Sequence, residues 1–141
     1  MVQICIKGDN LIIKLKGFEK VVALKGSLKI PFNCVGRVAY VKDLDDTEKE
    51  QIYPKMRLGG LSIGEILYGG FTTSLGLAFF ATKKLERSIV IYIKCSFPYK
   101  IVVIEVSDSE TLSELEKKLK IVILVIRIPL EILTIYIQIE S

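Results

Sequence analysis

The feature that most constrains this chain is the two-residue period of its apolar runs. Val2–Lys7, Leu11–Lys16 and Val35–Val41 alternate apolar with polar or second apolar positions. Ser88–Cys95 and Tyr99–Val106 are richer still in Val, Ile and Tyr. Side chains of a strand point to opposite faces in turn, so this period selects β structure over helix. Gly8-Asp9-Asn10 lies between the first two runs and predicts a hairpin. Leu28–Phe32 reads as a short strand, with Pro31 placing it at an edge or a kink. Both sides of 35–41 carry apolar groups, which predicts cover on both faces. The chain is therefore expected to be mainly β, in the α+β class.

Glycine modulates this pattern. Six of the ten glycines fall between Arg57 and Gly76. Ser62–Leu67 and Phe71–Phe80 are read as strands joined through Gly69-Gly70, with bulges and tight bends around them. Two helical signals are local. Phe18–Leu24 suits one or two turns, and the acidic stretch Lys42–Gln51 suits a loop or a short solvated helix. A third is stronger and covers 108–120. Ser107-x-x-Glu110 is a capping box, and Leu112, Leu115 and Leu119 share one face. Glu110 and Glu114 precede Lys117, Lys118 and Lys120, the order that the helix dipole favours.

Residues 121–141 are almost wholly apolar, interrupted by Arg127, Pro129 and Glu131. Two central charges cost about 5 kcal/mol on the membrane-insertion scale, close to what the aliphatic residues return. The segment 134–140 alternates strictly and is rich in Ile, so an extra strand is the better reading than a membrane helix. Such a strand needs a sheet edge, in its own subunit or another. Ile135, Tyr136, Ile137 and Ile139 are its candidate self-association residues.

With 141 residues, half of them hydrophobic, the chain can bury a core and makes one domain (1–120) plus the tail. It contains no His and no Trp. That excludes Ser-His-Asp and Cys-His nucleophiles and the H-E-x-x-H zinc site. Cys5, Cys34 and Cys95 are too scattered for C-x-x-C and sit among apolar neighbours, so they read as buried, inert thiols. An odd count argues against a secreted disulfide framework. The N-terminus lacks the pattern of a signal peptide, and a cytoplasmic protein is expected. The excess of Ile and Lys suits an AT-rich genome or a hot habitat.

The order of strands and helix, together with particular segments, resembles the small prokaryotic pleckstrin-homology-like (PH-like) domains of uncharacterised function. The matching segments are Leu11-Ile-Ile-Lys-Leu-Lys-Gly-Phe-Glu-Lys-Val-Val-Ala-Leu-Lys25, Leu28-Lys-Ile-Pro-Phe32 and Val35-Gly-Arg-Val38. Arg57-Leu-Gly-Gly-Leu-Ser-Ile-Gly64, Tyr68-Gly-Gly-Phe71 and Ile101-Val-Val-Ile-Glu-Val-Ser-Asp108 complete the likeness, which covers residues 10 to 119. Members often carry Phe-Trp after the Gly-rich segment, where this chain has Phe79-Phe80, and the apolar tail has no counterpart. The resemblance implies an antiparallel barrel, or two packed sheets, capped by the C-terminal amphipathic helix. It also implies a non-catalytic role, while leaving the ligand open.

Few residues invite chemistry. Gly59-Gly60-x-x-x-Gly64 is followed by Glu65 rather than Lys-Ser/Thr, so barrel bends explain it better than a phosphate loop. Glu65, Glu86 and Glu105 each stand alone, as solvent-facing or ion-paired side chains. The acidic cluster at 43–50 lacks the spacing and central Gly of a calcium loop. No catalytic, cofactor or metal residues are assigned, and no cofactor is expected. Lys7, Lys14 and Lys16 flank the first hairpin, where eukaryotic PH domains hold phosphoinositide headgroups. They form a candidate anionic-ligand patch, each Lys adding about 1 kcal/mol at an anionic membrane surface. Nucleic acid is disfavoured, because the net charge is only +4 and no aromatics interleave the basic residues. The expected role is a binding or scaffolding module that contacts itself or another protein. The alternative is a peripheral membrane module working through the three lysines.

Overall fold

A computed structural model describes residues 2–8, 10–15 and 26–105, together with Lys117. The first hairpin forms as the alternation requires. β1 (Val2–Lys7) pairs antiparallel with β2 (Asn10–Leu15), and β2 pairs with β3 (Ser27–Pro31). Leu11 lies opposite Ile30 and Ile13 opposite Leu28, so the apolar residues of both strands share one face. All four are buried, and Leu15 joins them.

A 3-10 turn (Phe32–Cys34) leads into β4 (Val35–Tyr40) and a second sheet. A further 3-10 turn (Val41–Asp43) precedes α1 (Asp46–Ile52). β5 (Met56–Ile63), β6 (Ile66–Thr73) and β7 (Gly76–Thr82) form a meander. After a 3-10 turn at Leu85–Arg87, β8 (Ser88–Ile93) and β9 (Ile101–Glu105) finish the described sheet. The six strands run in the order β4-β8-β9-β7-β6-β5, antiparallel except for the parallel pair β7/β9.

The central strands are apolar on both faces because both faces are covered. On one face Phe79, Ala81, Ile89, Ile91, Val102 and Ile104 pack with the inner face of the three-stranded sheet. On the other, Phe80, Val90, Ile101 and Val103 pack with Phe71, with Val41 and Leu44, and with Ile52 of α1. Phe71 and Phe80 meet edge to face, centroids 5.3 Å apart. Each buried aromatic contributes about 2–3 kcal/mol of transfer free energy. α1 begins with the capping box that its sequence encodes. The Asp45 carboxylate accepts the Glu48 N–H at 2.7 Å, and Glu48 reaches back to the Asp45 N–H.

The mainly-β expectation holds, and several finer ones are corrected. Of the two architectures expected, the described residues form two packed sheets and not a closed barrel: among them β4 and β5 are opposite edges of the larger sheet, and the smaller sheet hydrogen-bonds to neither. The β7/β9 pair breaks the all-antiparallel plan. The glycine-rich hairpins turn at Gly64-Glu65 and Ser74-Leu75, whereas Gly69-Gly70 lies in the middle of β6. Cys34 and Cys95 are not inert thiols. They form a disulfide with Cα atoms 4.9 Å apart, across a sequence separation of 61. Spacing along the chain hid this, because the fold brings the start of β4 beside the loop after β8, where the Lys94 N–H donates to the Cys34 carbonyl at 2.8 Å. Of the capping helix expected at 108–120, only Lys117 is described, helical and exposed. The helical turns expected at 18–24 and the tail strand with Ile135, Tyr136, Ile137 and Ile139 lie outside the described residues.

Candidate functional site

The three-stranded sheet turns its second face outward. Cross-strand partners share a face, and Lys7 opposes Asn10, Lys14 opposes Ser27, and Lys29 opposes Ile12. Lys7, Lys14 and Lys29 therefore project from one surface, and all three are exposed. Strand spacings put them within about 15 Å of one another. The structure brings together two of the three lysines singled out from sequence. Lys16 lies outside the described residues. Lys29, the third member of the face, is not marked by the sequence, which shows β3 as a short edge or kinked strand without naming its partner. Its even spacing from Lys14 across the sheet is visible only once the register is known.

The larger sheet exposes a different chemistry at β5. Met56, Leu58 and Ile63 are 58%, 54% and 62% exposed, on a strand that pairs only with β6 among the described residues. An eight-residue edge strand carrying apolar side chains is a template for another strand. Two glycines shape it. Gly60 (φ +104°) directly opposes Gly69 (φ +122°), and a Cβ on Gly69 would lie 2.1 Å from the Gly59 carbonyl oxygen. Only glycine permits that approach. Just before this crossing the register shifts between Arg57 and Gly59, leaving Leu58 in a bulge.

Beside the edge lies a cleft of about 240 Å³, lined in part by Tyr53, Lys55, Arg57, Ser62, Glu65 and Phe71. Register explains its composition. Arg57 opposes Phe71 and Ser62 opposes Leu67, so cation, hydroxyl and apolar floor share one face of the hairpin. Among the described residues that line it, Glu65 is the one carboxylate, beside the cations Lys55 and Arg57. The groups present can hold a partner by charge and apolar contact.

Elsewhere the charged groups serve the scaffold. Arg37 pairs with Glu48 of α1 and lies over the Tyr92 ring at 5.4 Å. The hydrogen bond to Glu48 raises the Arg37 pKa above its usual value. Burial raises the Tyr92 and Tyr99 phenols. Glu105, expected to face solvent or form an ion pair, is half-buried and is held by hydrogen bonds. One carboxylate oxygen accepts the Lys83 N–H at 2.7 Å and the Lys84 N–H at 3.0 Å. The Thr82 hydroxyl lies 3.2 Å from the same oxygen and 2.7 Å from the buried Ser88 hydroxyl. This network fastens the β7–β8 connection to the end of β9. Among the described residues no three His, Cys, Asp or Glu side chains converge on a metal position. Nor, among them, is any helix long and apolar enough to cross a membrane. Compared with models of known families, with curated proteins and with solved structures, the chain matches none.

Proposed function

We propose that this chain is a non-catalytic binding and scaffolding module that works through protein–protein contact, chiefly with copies of itself. The observation that carries the reading is the exposed apolar edge at β5, with Met56, Leu58 and Ile63 outward. A soluble monomer leaves such an edge at risk of uncontrolled pairing, so a specific partner strand is the stable solution. The resemblance to PH-like domains supports a binding role over a catalytic one. The parallel β7/β9 pair and the open sheets are departures from that plan. Light scattering of the full chain across a concentration range tests the reading. The expected result is a mass above that of one chain, and a single-chain mass at every concentration defeats it.

The second reading is a peripheral membrane module, favoured by the shared outer face of Lys7, Lys14 and Lys29. Three lysines at an anionic surface supply about 3 kcal/mol, enough for weak, salt-sensitive adhesion. Co-sedimentation with phosphatidylglycerol vesicles decides it, with no pelleting at low salt as the negative result. A cytoplasmic location remains part of the proposal under one condition. A lasting Cys34–Cys95 bridge in a cytosol is characteristic of hyperthermophile interiors, which the Lys- and Ile-rich composition suits.

A further inference from the structure

We infer that β5 is a self-complementary edge that pairs antiparallel with β5 of a second copy, on a two-fold axis through Gly60. The inference rests on the self-association reading and names its surface and register.

The sequence Met56-Arg-Leu-Gly-Gly-Leu-Ser-Ile63 is a palindrome of residue character: apolar, polar, apolar, Gly, Gly, apolar, polar, apolar. Read as a regular strand, its centre falls between Gly59 and Gly60. A two-fold there would place residues of opposite faces against each other, which a sheet forbids. The bulge removes that obstacle. Measured by their partners on β6, Gly59 and Leu61 lie one step either side of Gly60, opposite Gly70 and Tyr68. Arg57 and Ser62 lie two steps away, opposite Phe71 and Leu67. Met56 and Ile63 lie three steps away, opposite Thr72 and Ile66. The physical centre is thus Gly60, and each symmetric pair shares a face.

In this register Met56 meets the partner's Ile63, and the Leu58-Gly59 bulge meets the partner's Leu61. Arg57 meets the partner's Ser62 on the other face. The glycine on the axis has no side chain to obstruct the closest approach. Charge agrees as well. The Arg57 cation falls opposite the partner's Ser62, which is uncharged. Arg57 is therefore kept from its own symmetry copy. The contact is isologous and closes at two chains, joining two six-stranded sheets without leaving a β5 edge for a third.

The test uses the double variant Arg57→Cys/Ser62→Cys in the full chain, both positions being exposed. Opposed residues of an antiparallel pair stand about 4.5–5.5 Å apart at Cα, within disulfide reach. The same two residues within one chain are roughly 15 Å apart and cannot bridge. Oxidation is expected to give a covalent dimer whose peptide map links position 57 to position 62. The face-mismatched variant Arg57→Cys/Leu61→Cys is expected to stay uncoupled. Ile63→Lys, with an unchanged circular dichroism spectrum, is expected to lower the mass to one chain. If the parent chain associates but the first variant does not link and Ile63→Lys stays associated, the β5 axis is wrong and self-association stands. If the parent chain is a single chain at all concentrations, both fall.

Discussion

Adjacent glycines in β6 do different work. Gly69 carries a positive φ against backbone of β5, whereas a Cβ at Gly70 would meet nothing within 4 Å. Gly69→Ala should destabilise the fold by about 3 kcal/mol or more, from strain plus a backbone clash. Gly70→Ala should change stability by less than about 1 kcal/mol. Urea midpoints of the two variants check the contrast. The sequence shows that glycine is dense here, but cannot say which glycine faces a neighbouring carbonyl. That depends on register, and register depends on the bulge at Leu58. The tyrosines give a pH prediction. Burial raises the Tyr92 and Tyr99 phenols in the folded state, so the unfolded chain loses those protons first. Their stability is complete below the unfolded value near 10 and is lost as pH climbs through the higher folded values. Unfolding free energy should therefore fall as pH rises past about 10, and Tyr92→Phe with Tyr99→Phe should flatten that fall.

Strands were legible from alternation: β1, β2, β4, β8 and β9 follow the apolar period to within a residue or two. The meander β5-β6-β7 was not, because glycine supplies no side chain to mark a face and leaves the turn positions ambiguous. α1 was legible as an acidic, solvated segment, since Asp45 and Glu48 form the cap that their spacing allows. The role of Glu105 was hidden by long-range pairing. Its partners lie at 82–84, and they meet it only because β9 enters beside β7. Glu105→Ala should strip an acceptor from two backbone N–H groups and the Thr82 hydroxyl, at a cost of about 2 kcal/mol. Lys83→Ala, which keeps the N–H, should cost far less. Thermal midpoints of the two variants distinguish the carboxylate clamp from a surface charge effect.

The described residues form two sheets packed face to face, held by a two-sided core and the Cys34–Cys95 bridge. A bridge across 61 positions restricts the unfolded chain by about 4 kcal/mol in the chain-entropy account. Reduction with dithiothreitol should lower the melting midpoint by about 10 °C, a shift that Cys95→Ser reproduces without reductant. The mainly-β class was readable from composition and period. Closure was not, because no local signal tells a strand whether its outer edge will meet another strand of the same sheet. The insertion of β9 between β7 and β8 has a kinetic consequence. A hairpin can zip from its turn, but β7 and β8 form no backbone ladder with each other and must wait for a later strand to fill the gap. The centre of the larger sheet thus cannot exist until residues 101–105 are available. Any fragment ending before Ile101 should behave as separate hairpins lacking cooperative melting, and assembly of this chain should be slow for its size.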